Sequence, residues 1–257
     1  MSSSDWAYLS NDLIYVAAVL FTITFIAFTY ETAFSVRAIK ELADKTLDRT
    51  KTLRASKIAQ GFFIASTIAL GVGVLTRGIS AERVPLGNMY EYSITGAFTF
   101  AAAYLIVGIK HDLRWLGLPI SILILLILGT AITLLYRPSA PLVPALKSVW
   151  LVIHVSAAII SGGVFLLSNT VAGTYLWLDR MERKGERTPF AQRLPSLEKL
   201  DLLSYRLVAF VFPLWTLRLS LARFGLRQPG DVIGAGIPKK LGHLLPGFFT
   251  LHIYMPA

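Results

Sequence analysis

The chain has 257 residues, 54% of them hydrophobic and 16% charged, with a mean hydropathy of +0.61; a soluble domain carries about 25% charged residues, so this composition excludes an ordinary soluble fold. The formal charge of +10 invites a nucleic-acid reading, but the bases fall in alternate connections between apolar runs, which is the pattern of membrane orientation. With no cysteine, disulfides, thiolate zinc sites and thiol relays within the chain are excluded.

Residues 1–12 lack a basic n-region and a small-residue cleavage site, so the apolar run at 13–30 is expected to be a retained helix and not a signal peptide. Residues 31–57 alternate acidic and basic side chains with helical spacing and read as a solvated connector that extends the first helix. Further uninterrupted apolar runs occupy 58–75, 94–109, 116–136 and 149–178, and 202–216 opens a sixth. A bilayer core demands about 20 apolar residues per helix, and backbone groups in lipid need internal partners, so the runs must be helices. Their length and lack of alternation exclude a β-barrel. The predicted fold is all-α: a polytopic transmembrane bundle of five complete helices plus a truncated sixth, with an irregular C-terminal tail.

The bases orient this bundle. Arg37, Lys40, Lys45, Arg49, Lys51, Arg54 and Lys57 follow the first run, Lys110 and Arg114 the third, and Arg180, Arg183, Lys184, Arg187, Arg193 and Lys199 the fifth. The other connections hold only Arg77 and Arg83, then Arg137 and Lys147. The positive-inside rule therefore puts the N-terminus outside, together with the loops around Val84 and Pro141. Arg206 belongs near the cytoplasmic interface, because at the bilayer centre it would cost about 2.5–3.5 kcal/mol unless its stem snorkels.

Two features could carry chemistry. His154 lies within two turns of the outer end of its run, in KSVWLVIHVSAAIISGG, where ionisable groups face a bundle interior, a cavity or a ligand. It reads either as a hydrogen-bonded packing residue or as a neutral imidazole ligand to iron or another metal. No second ligand stands at i+3 or i+4, which argues against a closed metal site on that helix. The outer loop RVPLGNMYEYS has a turn at Pro85 and Gly87, followed by Asn88, Tyr90 and Glu91 where the chain re-enters the bilayer. Alone it is an ordinary capped loop with an interfacial tyrosine pair; its interest is that it faces the same side as His154. His111 reads as a solvated interfacial residue. Nothing supports a nucleophile–His–acid triad, a P-loop or a carboxylate pair, and no catalytic residue is assigned.

Three segments, VPLGNMYEYS in an outer loop, LKSVWLVIHVS opening a helix and LDLLSYRLVAFVFPLWT opening the next, resemble the CcsA/ResC family (actinobacterial CcsB type), the haem-handling subunit of the system II cytochrome c synthase. The resemblance runs from residue 84 to Thr216. It implies that His154 is an axial ligand to the iron of transiently held haem b, and that Asn88, Tyr90 and Glu91 belong to an outer loop near the haem-binding surface. It also implies haem delivery at the outer face of the bacterial cytoplasmic membrane. The implied partners are a ResB/Ccs1-type membrane subunit and an apocytochrome c with its CxxCH motif, in a haem-lyase complex embedded in the lipid bilayer, with no nucleic acid. A transporter or structural membrane subunit in which His154 only packs is the competing reading.

The family's tryptophan-rich segment, WGxYWxWDPKExW, is absent, as are its later histidines in a YLH motif and beyond. After Thr216 the chain meets Arg218 and Arg223, then is broken by Pro229, Gly230, Gly234, Gly236, Pro238, Gly242, Pro246 and Gly247. Yet reading from the third base of each codon, GAGIPKKLG permits W, D, P, K, E, one of I/V/T/A, and W in succession. The same offset permits FAVIAGAIWAE directly after Thr216, GRYWGW across PGDVIGAG and YLHA across HIYMPA. Residues 1–216 are therefore read as an incomplete cytochrome c assembly domain. Residues 217–257 read as an out-of-frame, weakly structured tail in which His243 and His252 inherit no role.

Overall fold

The computed structural model describes residues 2–41, 49–139, 149–185 and 188–225. Its elements follow the apolar runs: α1 (Ser3–Glu41), α2 (Arg49–Ala81), α3 (Met89–Gly108), α4 (Gly117–Leu134), α5 (Val149–Arg183) and α6 (Leu197–Gly225), with short 3-10 turns at Arg114–Leu116 and Ala191–Arg193. Among the described residues five helices, all but α3, are long and apolar enough to cross a membrane. The 20 residues of α3 open with the polar sequence MYEYS, which lowers its hydropathy, and the helix is shielded by packing against α2, α4 and α5.

α1 and α2 form an antiparallel hairpin whose register is visible in three hydrogen bonds. Ser80 Oγ donates to the Ser3 carbonyl at 3.0 Å, Ser10 Oγ donates to the Gly73 carbonyl at 2.7 Å, and the Thr24 and Ser66 hydroxyls meet at 3.0 Å. Between helices in lipid, small polar residues serve because there is no hydrophobic force to drive association; each such bond is worth about 0.6 kcal/mol on average. Lower in the hairpin the contact is aromatic, with Phe63 edge-on to Phe21 at 5.5 Å and to Tyr104 of α3 at 4.7 Å. α3 lies against α5 so closely that a Cβ on Gly163 would come within 2.9 Å of the Phe100 backbone nitrogen. α6 rests on α5, leaving Phe210 79% exposed.

Two charged residues sit deeper than the sequence suggests. Glu31 opens the connector read as solvated, yet it is buried, because Arg193 from the turn before α6 reaches back and both Oε atoms accept from its guanidinium. Arg77, counted among the loop bases, belongs to α2 and is fully buried; its partner is a carboxylate on α3. α6 also continues nine residues past Thr216, to Gly225. Leu, Arg and Ala dominate that stretch and are good helix formers, so the helical hydrogen-bond ladder propagates beyond the apolar run. Residues 226–257, with His243 and His252, lie outside the described residues.

Candidate functional site

α2 ends at Ala81; Glu82 follows with a φ of 51° in the left-handed region, and the Arg83 amide turns back to the Gly78 carbonyl. The chain crosses Val84, Pro85, Leu86 and Gly87 and enters α3 at Asn88, whose Oδ1 accepts the Glu91 amide at 2.8 Å. This is an Asn N-cap. Glu91, three residues on, answers it in the manner of a capping box: its Oε2 accepts the Gly87 amide at 2.9 Å, so the loop is closed from inside the helix.

The Glu91 carboxylate does more than cap. Fully buried, it accepts Arg77 Nε at 3.3 Å and Arg83 Nη1 at 2.7 Å, with Arg83 Nη2 at 3.2 Å. Arg77 also donates through Nη2 to the Arg137 carbonyl after α4, and its guanidinium lies 5.3 Å above the Tyr90 ring. Tyr90 in turn packs edge-on against Tyr136 at 5.3 Å, and the Tyr136 hydroxyl accepts from Asn11 Nδ2 of α1 at 2.9 Å. One polar cluster thus ties together the same ends of α1, α2, α3 and α4.

Beneath the loop an apolar cleft of about 620 Å3 opens between α2, α3 and α5, lined by Val84, Pro85, Leu86, Phe98, Ile159 and Ile160 among others. Its size falls within the roughly 300–1,000 Å3 of small-molecule sites. The cleft fixes the direction of α5, whose N-terminal turns are at the loop end of the bundle. His154, half-buried on the turn before Ser156, is therefore at that end as well.

The sequence-predicted residues divide accordingly. Tyr90 and Glu91 turn inward at 2% and 0% exposure, Asn88 is occupied as a helix cap, and none of these, nor His154, is among the residues lining the cleft. The structure brings Asn88, Tyr90 and Glu91 together with one another and shares one end of the bundle between them and His154. His111 lies at the opposite end, in the turn after α3. Sequence reasoning missed the part played by Arg77 and Arg83. The available signal was a pair of bases just before a Pro-Gly turn with one acid just after it.

Among the described residues no group of three His, Asp or Glu side chains could hold a bare metal ion. A single histidine would suit haem iron, which proteins commonly hold through one histidine. An apolar cleft at the same end of the bundle, which His154 does not line, suits a macrocycle face. The residues present fit such a group.

A bundle in which five helices can cross a bilayer, closed at one end by a buried ionic cluster, is that of a multi-pass membrane protein. The model of the cytochrome c assembly protein family matches residues 86–221, more than half of the chain. The chain belongs to that family. It is 32% identical over 208 residues to the cytochrome c biogenesis protein CcsA of Guillardia theta, covering 73% of this chain and 68% of that one. It is 26% identical over 200 residues to CcsA of Porphyra purpurea, covering 63% of each. A shorter match, 28% over 125 residues, joins it to CcsA of Synechocystis sp., covering 48% of this chain and 37% of that one. The chain thus spans about two thirds of the length of the first two relatives. No solved structure matches it.

Proposed function

We propose that this chain is built on the haem-holding half of a system II cytochrome c synthase subunit, with His154 as an axial ligand at the outer face of the bacterial cytoplasmic membrane. The observation that carries this reading is the placement of His154, an ionisable side chain half-buried near the start of an apolar helix, at the end of the bundle where the Glu91 cluster pins the loop. The name shared by the relatives, cytochrome c biogenesis protein, supports it.

Haem b would bring its own chemistry, vinyl groups that accept the thiols of an apocytochrome CxxCH motif, and the protein supplies binding, orientation and electrostatics. His154 offers an imidazole nitrogen from α5. The cleft walls, Val84, Pro85 and Leu86 on one side and Ile159 and Ile160 on the other, exclude water from a porphyrin face. Asn88, Tyr90 and Glu91 act one step back, fixing the loop that forms one of those walls. A ResB/Ccs1-type membrane subunit and an apocytochrome c are the partners this reading calls for, with the N-terminus outside.

The reading includes a slip of frame immediately after Thr216, so that residues 217–257 are out-of-frame translation and the present chain is inactive as a synthase. The family match ends at residue 221, five residues past Thr216. Sequencing the DNA across the Thr216 codon tests it; an alternative frame that does not encode the tryptophan-rich segment ends the idea. On a frame-restored chain, co-purified haem with a Soret band that disappears in His154→Ala is expected. A spectrum unchanged by that substitution removes His154 as a ligand and favours a packing role in a transporter or structural subunit.

A further inference from the structure

The opposite end of the bundle holds another cavity, of about 610 Å3, for which the haem reading has no use. It lies between the inner part of α1, the turn after α3 and the beginning of α6. Arg114, Arg193, Lys199 and Arg206 face it against the carboxylates of Glu31 and Asp112. Those carboxylates are engaged. Glu31 pairs with Arg193, and Asp112 pairs with Arg114 at 2.7 Å, which holds the Asp112 carboxyl below its ordinary range. Neither Lys199 nor Arg206 has a carboxylate partner among the described residues. Glu198 and Asp201 are nearby on α6 but do not line the cavity. The lining therefore carries two positive charges in excess.

The remaining wall is apolar, formed by Leu113, Leu194, Leu200 and Leu203. Trp115 also lines the cavity. It is 9% exposed, and its indole Nε1 has no hydrogen-bond partner. A buried tryptophan N–H normally finds an acceptor, and leaving one unmet costs about 1–3 kcal/mol. The cavity reaches the surface of α6 at Leu202, which is 47% exposed. A smaller neighbouring cavity shares His111 to Arg114 and adds Lys57 and Lys110, extending the basic character around the turn.

We propose that this cavity seats the phosphate headgroup of an anionic phospholipid from the cytoplasmic leaflet, its acyl chains leaving past Leu202 along the apolar face of α6. Basic pockets between helices at the cytoplasmic side have the chemistry for such headgroups. The phosphate oxygens accept from Lys199, Arg206 and the Trp115 N–H, while the leucine wall covers the glycerol and upper chains. Inorganic phosphate meets the cations but leaves that wall against water. A zwitterionic headgroup brings a cation of its own into a lining that already has an excess of them. The site shares only its membrane orientation with the haem reading and stands if His154 proves not to be a ligand.

The test uses the full chain in detergent micelles, titrated with phosphatidylglycerol or phosphatidylcholine and read by native mass spectrometry. Phosphatidylglycerol is expected to be retained in preference to phosphatidylcholine, and millimolar inorganic phosphate should not displace it. Lys199→Gln with Arg206→Gln should weaken retention about fivefold per charge removed, the equivalent of roughly 1 kcal/mol for each base near an anionic headgroup. Arg180→Gln with Arg183→Gln, at the same end of the bundle but outside the cavity, should leave it unchanged. Trp115→Phe removes only the N–H donor and some area, and should weaken retention severalfold with helix content intact. Equal retention of both lipids, equal loss in the two double variants, full displacement by inorganic phosphate, or binding of a porphyrin dicarboxylate where phospholipid does not bind overturns the proposal.

Discussion

Arg77 Nε and Glu91 Oε1 meet at 3.3 Å across 14 residues of sequence, with both side chains wholly removed from solvent. Two charges in a low-dielectric interior are tolerated only when paired and hydrogen-bonded. Here the carboxylate is satisfied by two guanidiniums and the Gly87 amide. Removing it should therefore do more harm than its contact area suggests. Glu91→Gln is expected to destabilise the bundle by about 3–5 kcal/mol, the cost of stranding a buried charge. Loss of helical circular dichroism on heating in detergent would measure this; an unchanged midpoint would show that the cluster does not hold the loop end together.

The Glu31–Arg193 pair offers a cleaner partition, because both residues can be neutralised without altering a helix cap. Arg193→Gln leaves Glu31 buried and unpaired and should cost about 3 kcal/mol or more. Glu31→Gln with Arg193→Gln should cost less than that single change, since no uncompensated charge remains. A double-mutant cycle on thermal unfolding gives the coupling, and additive losses would mean that the pair is solvated.

Neighbouring glycines in α5 should respond differently to the same substitution. A Cβ on Gly163 meets Thr99 Oγ1 at 2.8 Å and backbone atoms of α3 at 2.9 Å, whereas one on Gly162 meets nothing within 4 Å. Gly163→Ala should force α3 and α5 apart at a cost of about 1–3 kcal/mol. Gly162→Ala should be neutral or stabilising by up to roughly 1 kcal/mol through helix propensity. Comparing their unfolding midpoints checks the closeness of the two helices; matching effects would disprove it.

The cap on α3 can be separated from the ionic cluster beneath it. Asn88→Ala removes the acceptor for the Glu91 amide and should cost about 1 kcal/mol, while Asn88→Asp keeps it. Faster backbone hydrogen exchange confined to the first turn of α3 in the alanine variant, and absent in the aspartate variant, is the expected signature. Equal exchange in both would remove Asn88 as the cap.

The helices were legible in the sequence because lipid leaves a chain no other way to satisfy its backbone, so each apolar run locates one of α1 to α6. Ends were less legible. α3 begins at Met89, five residues before its apolar run, because Asn88 caps it and Glu91 is neutralised by charges from another helix. α6 outruns Thr216 because helix propensity, not hydropathy, governs its last turns. The histidine and the loop could be put on one side from loop charges alone. The inward direction of Tyr90 and Glu91 could not, because it depends on Arg77 and Tyr136, which are distant in sequence and converge only in the packed bundle.

The order in which Arg77 and its partner are synthesised bears on how the chain enters the membrane. The guanidinium leaves the ribosome first, and its carboxylate follows 14 residues later on the next helix. Until α3 arrives, α2 carries an uncompensated cation in its last turns. The smallest piece of the chain that can enter lipid with Arg77 neutralised is therefore the α2–α3 hairpin, with the loop at Val84 to Gly87 as its leading edge.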